Sequence, residues 1–595
     1  MASTIFYKTL SVNYRIMKTF VKKFKIVMIT GLIGGYAFLS YSFVDNYFEV
    51  SKNLDIFATL FRELNIYYVD ETNPGDLMKK GIDDMLSSLD PYTNYIPESE
   101  IEDYRYMTTG QYGGVGALIR QQGDYVVISE PYEGFPAQKA DLRAGDKILK
   151  INDIDAKGKK TDDISKILKG QPSTAIKLVI EREGEKKPLE KVVNREEIKI
   201  KSVSYSGMIS QNVGYIKLTG FTENAAGEVK EALLELKKNP ELKSVVFDLR
   251  GNPGGLLKEA IDIVNIFEEK GTEIVSTRGK VKDWDKTHKA LNTPIDLTIP
   301  MTILVDRGSA SASEIVSGAL QDLDRGVVIG QRSYGKGLVQ QTRPLSYNAQ
   351  LKVTVAKYYI PSGRCIQALD YSHRNEDGSV DKVPDSLISA FKTKNGRIVY
   401  DGGGVTPDVT VEPRKYSNIL ASLVSKNLIF DYATKYRIAH PSIAAARDFR
   451  LTDAEYDEFV AFLSGKEYDY TTKTEKKLEE LKEDAKADKT LDAINSDLEA
   501  LKAKIAHNKK DDLMKFKPEI RQFLEEEIAS RYYFQNGRLE ASMKDDDELK
   551  EALAVLSDNA RYTKILTTVG KAEKPFYDSK REEELNKKRS GEGQN

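Results

Sequence analysis

The feature that most constrains this chain is a run of small residues, Gly308-Ser309-Ala310-Ser311-Ala312-Ser313, set between two apolar patterns of different period. Ahead of it lies Met301-Thr302-Ile303-Leu304-Val305, a short β-type run. Behind it Ile315, Val316, Ala319, Leu320 and Leu323 recur at helical spacing. A buried strand must therefore turn directly into a helix at residues 308–313. The first turn of a helix leaves backbone N–H groups without intrahelical partners, and these favour negative charge. A serine there has the surroundings that an acyl-transfer nucleophile and its oxyanion hole require. Small residues at such a turn also serve tight packing alone, so this motif does not by itself decide for chemistry.

A second segment decides more. Val327-Val328-Ile329 reads as another buried strand, followed by Ser333-Tyr334-Gly335-Lys336-Gly337-Leu338-Val339-Gln340. Lys336 and Gln340 are four apart and face the same side of an extended strand. A lysine between glycines can be set deep in a site and neutralised by desolvation. Gly330 to Lys336 also has the spacing of a phosphate-binding loop, but position 337 is glycine where that motif needs serine or threonine. Gln340-Gln341-Thr342-Arg343-Pro344 reads as extended where the motif needs a helix, so the match is accidental. The four histidines, His288, His373, His440 and His507, lie in no motif, which disfavours a Ser-His-Asp arrangement.

Together the two segments resemble the signature of the C-terminal processing peptidases, or tail-specific proteases, over roughly residues 50–410. The resemblance implies a serine–lysine dyad protease with an embedded PDZ domain. It implies Ser311 as nucleophile, Lys336 as general base and Gln340 as the residue that orients the lysine. Arg250-Gly251-Asn252-Pro253-Gly254-Gly255-Leu256 resembles the family's oxyanion loop, with one N–H from Gly254 or Gly255 and another from Ala312. Asp248 and Arg250 are expected to fix that loop rather than react. Gly113-Gly114-Val115-Gly116, followed by Pro136-Ala137 and Ala144-Gly145-Asp146-Lys147-Ile148, resembles a PDZ domain whose glycine loop holds a peptide C-terminal carboxylate. Asp141 stands where the family has glycine, and aspartate tolerates the left-handed conformation the turn needs.

The chain of 595 residues is too long for one core. Ile26 to Val44 carries no charge and follows Lys18, Lys22, Lys23 and Lys25, the pattern of a signal peptide or a membrane anchor. The expected organisation is a signal or anchor over 1–45, an N-terminal helical segment over 46–105 and a PDZ domain over 106–190. A catalytic core over 191–415, a helical region over 416–575 and a disordered tail over 576–595 follow. Stripes through Leu54, Phe57, Leu60, Phe61 and Leu64, and through Leu77, Ile82, Met85, Leu86 and Leu89, predict the N-terminal helices. Thr161 is the expected N-cap of a helix over Asp162 to Leu168. The fold class is thus a multidomain α/β protein, with a protease core of crotonase/ClpP-like β-β-α units, an inserted PDZ domain, an N-terminal membrane segment and helical terminal regions. A polar insertion over about 370–400 reads as a surface loop or part of the substrate cleft. The heptad stripe Leu491, Ile494, Leu498, Leu501 and Ile505 predicts an exposed helical arm that packs on its own core or on a second subunit, giving a homodimer.

Cys365 is the single cysteine, so no intrachain disulfide forms, and it reads as a small apolar residue. No metal-ligand spacing occurs, and no metal or cofactor is expected. A net charge of −2 gives no sign of a nucleic-acid partner. The function that follows is an extracytoplasmic serine endopeptidase on the periplasmic side, exported or inner-membrane anchored, that cleaves proteins with free C-termini. The competing readings are a membrane-anchored PDZ scaffold that binds peptides without cutting them, and an acyl-CoA enzyme of crotonase type, which would leave the PDZ module unexplained.

Overall fold

The computed structural model describes residues 47–375, 377–505 and 509–569. The Ile26–Val44 run, His507 and the 576–595 tail lie outside them. The chain divides into two units, Met1–Leu86 and Ser87–Asn595. In the first, residues 47–67 form a helix, and Pro74–Ser87 forms a second that ends across the division. The two predicted stripes fall on these helices except for Leu89, which lies in the turn beyond the second. Leu54, Phe57, Leu60 and Leu64 are exposed and Leu86 is buried. Among the described residues no helix is long and apolar enough to cross a membrane.

The second unit carries two modules built on sheets. The first has a sheet in the order Ala117–Gln122, Tyr125–Pro131, Lys147–Ile151, Ala175–Glu181, Leu189–Asn194. Ile176, Leu178 and Ile180 alternate inward, as a half-buried strand requires. Helices Pro136–Lys139 and Thr161–Leu168 complete this module. Thr161 is the first helical residue rather than the cap. Lys160 holds that position, its N–H donating to Asp163 at 3.4 Å, and the Thr161 hydroxyl turns to Gln121. Asp141 adopts φ 55°, as anticipated, with its carboxylate held by Arg143, Arg182 and Lys191.

The sheet of the second module runs in the order Val203–Met208, Val213–Leu218, Ser244–Asp248, Met301–Val305, Val327–Gly330, Val409–Thr410. Its first pair is antiparallel and the others parallel. Helices Ala225–Leu236, Leu257–Phe267 and Ala312–Asp322 pack on one face. The opposite face is covered by Asp547–Ser557 and Asn559–Thr567, through Leu549, Ala552, Val555 and Tyr562. These two helices fall in the helical region expected over 416–575. They close the second face of this sheet, which is why its strands are apolar without alternation.

A second sheet, Asn94–Ile96, Gln350–Tyr359, Glu273–Gly279 and Lys286–Lys289, carries the hairpin strand Leu338–Pro344 on Gln350–Tyr359. The insertion contains a small hairpin, Ala390–Lys392 with Ile398–Tyr400. Its buried Arg397 pairs with Asp324 and Asp408. The C-terminal helices Asn418–Ser425, Leu428–Ala439, Asp453–Phe462 and Lys517–Ser542 share a core that includes Leu420, Tyr432, Phe459 and Leu524. The first module rests on them: Gln122 donates to Asp431, Arg120 stacks on Phe430, and Glu130 pairs with Arg538.

The heptad stripe packs within the chain in part, with Leu498 buried and Leu501 exposed. Helix Leu491–Ile505 lies against Lys473–Ala487, with Leu498, Leu478 and Ala485 buried and the ion pairs Lys482–Glu499 and Lys502–Glu479 alongside. Of the two expected covers, the same chain supplies the one seen here, over Leu498.

Candidate active site

Two loops at the ends of adjacent catalytic strands are joined by side-chain hydrogen bonds. Asp306 accepts the N–H groups of Gly251 at 2.9 Å, Gly308 at 2.9 Å and Ser309 at 3.1 Å. Ser309 Oγ donates to the Leu249 carbonyl, and Ser313 Oγ donates to that of Asn252, both at 2.8 Å. This is why the small residues of the motif include three serines: two are spent on binding the neighbouring loop. The third, Ser311, stands at the N-cap of Ala312–Asp322 with φ 56° and ψ −113°, and its side chain makes no capping bond. A non-glycine residue in that region costs about 1–3 kcal/mol and persists only where its surroundings enforce it.

The enforcing group is Glu314. Its carboxylate is fully buried and accepts four donors: the N–H of Ser311 at 2.8 Å, Ser333 Oγ at 2.5 Å, and the N–H groups of Gly335 at 2.6 Å and Lys336 at 2.8 Å. Burial pushes its pKa up to about 7, against the downward pull of those hydrogen bonds. On the other side the buried Tyr358 hydroxyl bridges the carbonyls of Lys336 at 2.5 Å and Ser311 at 3.1 Å. The Ser311 and Lys336 backbones are thus clamped together twice. Ser333 is held further by Val405, whose N–H donates to Ser333 Oγ at 2.6 Å.

The glycine pair resolves unequally. A Cβ on Gly254, at φ 100°, would stand 2.7 Å from the Ala310 oxygen and 2.8 Å from Ser311 Cβ, so only glycine fits beside the serine. Its own N–H donates to Asn252 Oδ1 at 2.9 Å. The N–H groups of Gly255 and Ala312 have no hydrogen-bond partner among the described residues. Asp248 and Arg250 tie this loop down as expected. Arg250 pairs with Asp248, Asp546 and Glu548, and Lys217 and Tyr215 complete the shell around the Asp248 carboxylate.

The side chains of the expected dyad are less closely joined than their backbones. Lys336 Nζ makes no hydrogen bond to Ser311 and lies 4.1 Å from the centre of the Tyr92 ring. Burial, reinforced by Lys352, brings its pKa down to about 8, while Asp90 and Glu314 oppose the shift. Gln340, expected to orient the lysine, donates instead to Thr354 Oγ1 at 3.2 Å. In the first module Gly113 and Gly114 are drawn into a ribbon with Glu196–Lys199, which leaves Val115 and Gly116 as the loop. Neither of their N–H groups has a partner among the described residues. Strand Ala117–Gln122, which follows them, is the sheet's edge.

The comparisons bear on both modules. Residues 212–372 match the model of peptidase family S41, 127–182 a PDZ domain, and 419–556 a probable PDZ-protease C-terminal helical domain. A carboxy-terminal-processing protease of Bartonella bacilliformis is 37% identical over 321 residues, spanning 53% of this chain and 73% of that protein. The chain belongs to this family of carboxy-terminal-processing peptidases. A probable CtpA-like serine protease of Staphylococcus aureus is 34% identical over 370 residues, covering 62% of this chain and 66% of that protein. A solved photosystem II D1 C-terminal processing protease is 27% identical, with a TM-score of 0.33, over 60% of this chain and 86% of the other.

As a member of the family the chain is a serine-type peptidase with a PDZ module that recognises peptides, which sets aside the scaffold and acyl-CoA readings. Sequence reasoning left two groups of this peptidase unassigned. Glu314 reads as an ordinary first-turn helix acid, and Tyr358 as one more inward residue of a strand. The one local partner of Glu314 is the Ser311 N–H three residues back, an ordinary helix-start contact, while its other partners lie 19–22 residues away and those of Tyr358 22 and 47. None of the three described histidines bonds a residue of the two clamped loops. His373 bonds Asp370 in an exposed turn, His440 stacks on Tyr436, and His288 sits on an outer strand with its pKa lowered by burial. Cys365 has its thiol pKa raised by burial, the opposite of what a nucleophile needs.

Removing the clamp should therefore disable the peptidase without touching substrate. Glu314→Ala leaves several buried N–H groups unsatisfied, each costing about 1–3 kcal/mol. A lower melting temperature with loss of at least about 99% of peptidase activity is expected, read by calorimetry and a peptide-cleavage assay. Retention of both would show that the Ser311 and Lys336 loops are held by something else.

Proposed function

We propose that this peptidase grips the C-terminal tails of proteins in its PDZ module and cleaves them with a Ser311–Lys336 dyad. The observation that carries this reading is the pair of clamps, Glu314 and Tyr358, which hold the backbones of Ser311 and Lys336 as one unit. Val115 and Gly116 would receive the tail's carboxylate on their N–H groups. The tail would add as a strand along the edge of Ala117–Gln122.

In the reaction the neutral Lys336 amine takes the proton of Ser311 Oγ, which attacks the scissile carbonyl. The N–H groups of Gly255 and Ala312 receive the oxyanion of the tetrahedral intermediate. The Lys336 ammonium then gives its proton to the leaving amine. Water attacks the Ser311 ester with Lys336 again as base, which releases the new C-terminus and restores the serine. The amine turns toward Ser311 with the Tyr92 ring still within cation–π reach of it. Gln340 supports the hairpin on which Lys336 stands through its bond to Thr354. Export follows from the basic residues and apolar run at the N-terminus, as a cleaved signal or an anchor, and places the peptidase outside the cytoplasm.

The sign of the pH dependence follows from a base whose pKa is lowered to about 8. Below that value the amine is protonated, so kcat/KM should fall about tenfold per unit as pH drops and level off above it. Ser311→Ala and Lys336→Arg should be equally inactive, because guanidinium does not lose its proton in a protein. Near-normal turnover by Lys336→Arg would contradict the dyad. A substrate amidated at its C-terminus should be cleaved about tenfold more slowly, a loss of about 1.4 kcal/mol. Equal rates for acid and amide would remove the glycine loop from tail selection.

A further inference from the structure

The turn that precedes the second sheet comes to lie against the lysine. Asp90 is buried and accepts the N–H groups of Tyr92 and Thr93, both at 2.8 Å, and the Thr93 hydroxyl at 3.0 Å. Thr93 in turn accepts the N–H of Thr354 at 3.2 Å, on the residue whose hydroxyl takes the Gln340 amide. Strand Asn94–Ile96 continues the attachment by pairing with Gln350–Lys352. The turn is therefore bonded to the hairpin that carries the catalytic lysine, and this fixes the Tyr92 ring beneath Lys336 Nζ at 4.1 Å. Tyr371 from the 370–400 insertion meets the same ring edge-to-face at 6.1 Å, and the Tyr334 hydroxyl lies 3.4 Å from that of Tyr92.

We propose that Tyr92 is a positioning residue of the peptidase: its ring face seats the Lys336 ammonium, both at rest and when the lysine carries the serine's proton. This rests on the Ser311–Lys336 reading above and adds to it a group that the dyad does not contain. The negative face of an aromatic ring attracts a cation and has no such hold on a neutral amine. Tyr92 therefore favours the protonated lysine, countering burial and Lys352, together with the more distant carboxylates of Asp90 and Glu314. The ring itself does not titrate in the working range, since burial and its bonds to Tyr334 and Tyr371 push its hydroxyl upward. A group that stabilises the ammonium raises the pKa of the base and also lowers the barrier to taking the proton from Ser311. Tyr371 packs edge-to-face on the ring, a contact that does not need the Tyr92 hydroxyl, and this brings the insertion beside the site.

The test compares Tyr92→Phe, which keeps the ring, with Tyr92→Leu, which keeps apolar cover without the ring's negative face. The full-length enzyme is assayed on one tailed substrate from pH 6 to 10. The Phe variant should match the parent in midpoint and plateau. In the Leu variant the midpoint should move down by about half a pH unit, and plateau kcat should fall about fivefold with KM unchanged. Partial misfolding scales the amplitude of such a profile and leaves its midpoint alone, so the shift reads the lysine itself. A Leu variant with the parent's midpoint, or a Phe variant as impaired as the Leu variant, overturns the proposal. If Lys336→Ala retains turnover, the dyad reading falls and takes this one with it. If Lys336→Ala is dead and the Tyr92 variants are silent, only this proposal falls.

Discussion

The arrangement depends on one buried carboxylate. Glu314 sits on the first turn of the helix that Ser311 begins, and it reaches across to the Ser333–Lys336 loop. A carboxylate in such a place costs several kcal/mol unless donors surround it, and here four do. The donors are mostly backbone N–H groups, so what the carboxylate fixes is the course of two chain segments rather than two side chains. Tyr358 closes the same junction from the second sheet. Between them they hold Ser311 at a backbone conformation that glycine would ordinarily occupy, while the Lys336 side chain rests over the Tyr92 ring.

The same economy links the outer parts of the molecule to this junction. Arg250, whose loop supplies the glycine pair, is held by Asp546 and Glu548 at the start of a helix that closes the catalytic sheet. The long helix just before it, Lys517–Ser542, carries Arg538, the partner of Glu130 in the PDZ module. The C-terminal helices therefore serve two surfaces at once: they complete a core that would otherwise have one open face, and they seat the module whose edge strand is available to a peptide. Their charged composition reflects the sides turned outward, while Leu549, Ala552 and Val555 account for the side turned in.

What could be read from the amino-acid order was whatever a single segment decides. Met301–Val305 and Val213–Leu218 were legible because a sheet covered on both faces demands mainly apolar strands. The turns that carry Ser311 and Lys336 were legible because small residues after a buried strand mark a turn, whereas the clamp that joins the two turns was not. The partner of the heptad stripe was not legible, since a stripe states that an apolar face must be covered without naming the cover. Gln340 illustrates the same limit at the site itself. Its placement on the face of Lys336 was inferred from strand spacing, yet a register shift between Val339 and Gln340 breaks the alternation and turns its amide to Thr354. Tyr92 lies more than two hundred residues from the lysine it touches, and no pattern in its own turn announces the contact.

The most direct test of the central claim is to locate the covalent intermediate. A serine-directed acylating probe, reacted with the protein across a pH series and mapped by peptide mass spectrometry, reports both the nucleophile and its base. The account predicts a single adduct on Ser311, formed at a rate that rises with pH to a plateau above about 8 and absent from Lys336→Arg. An adduct on another residue, or a Ser311 adduct that forms equally fast in Lys336→Arg, would contradict it.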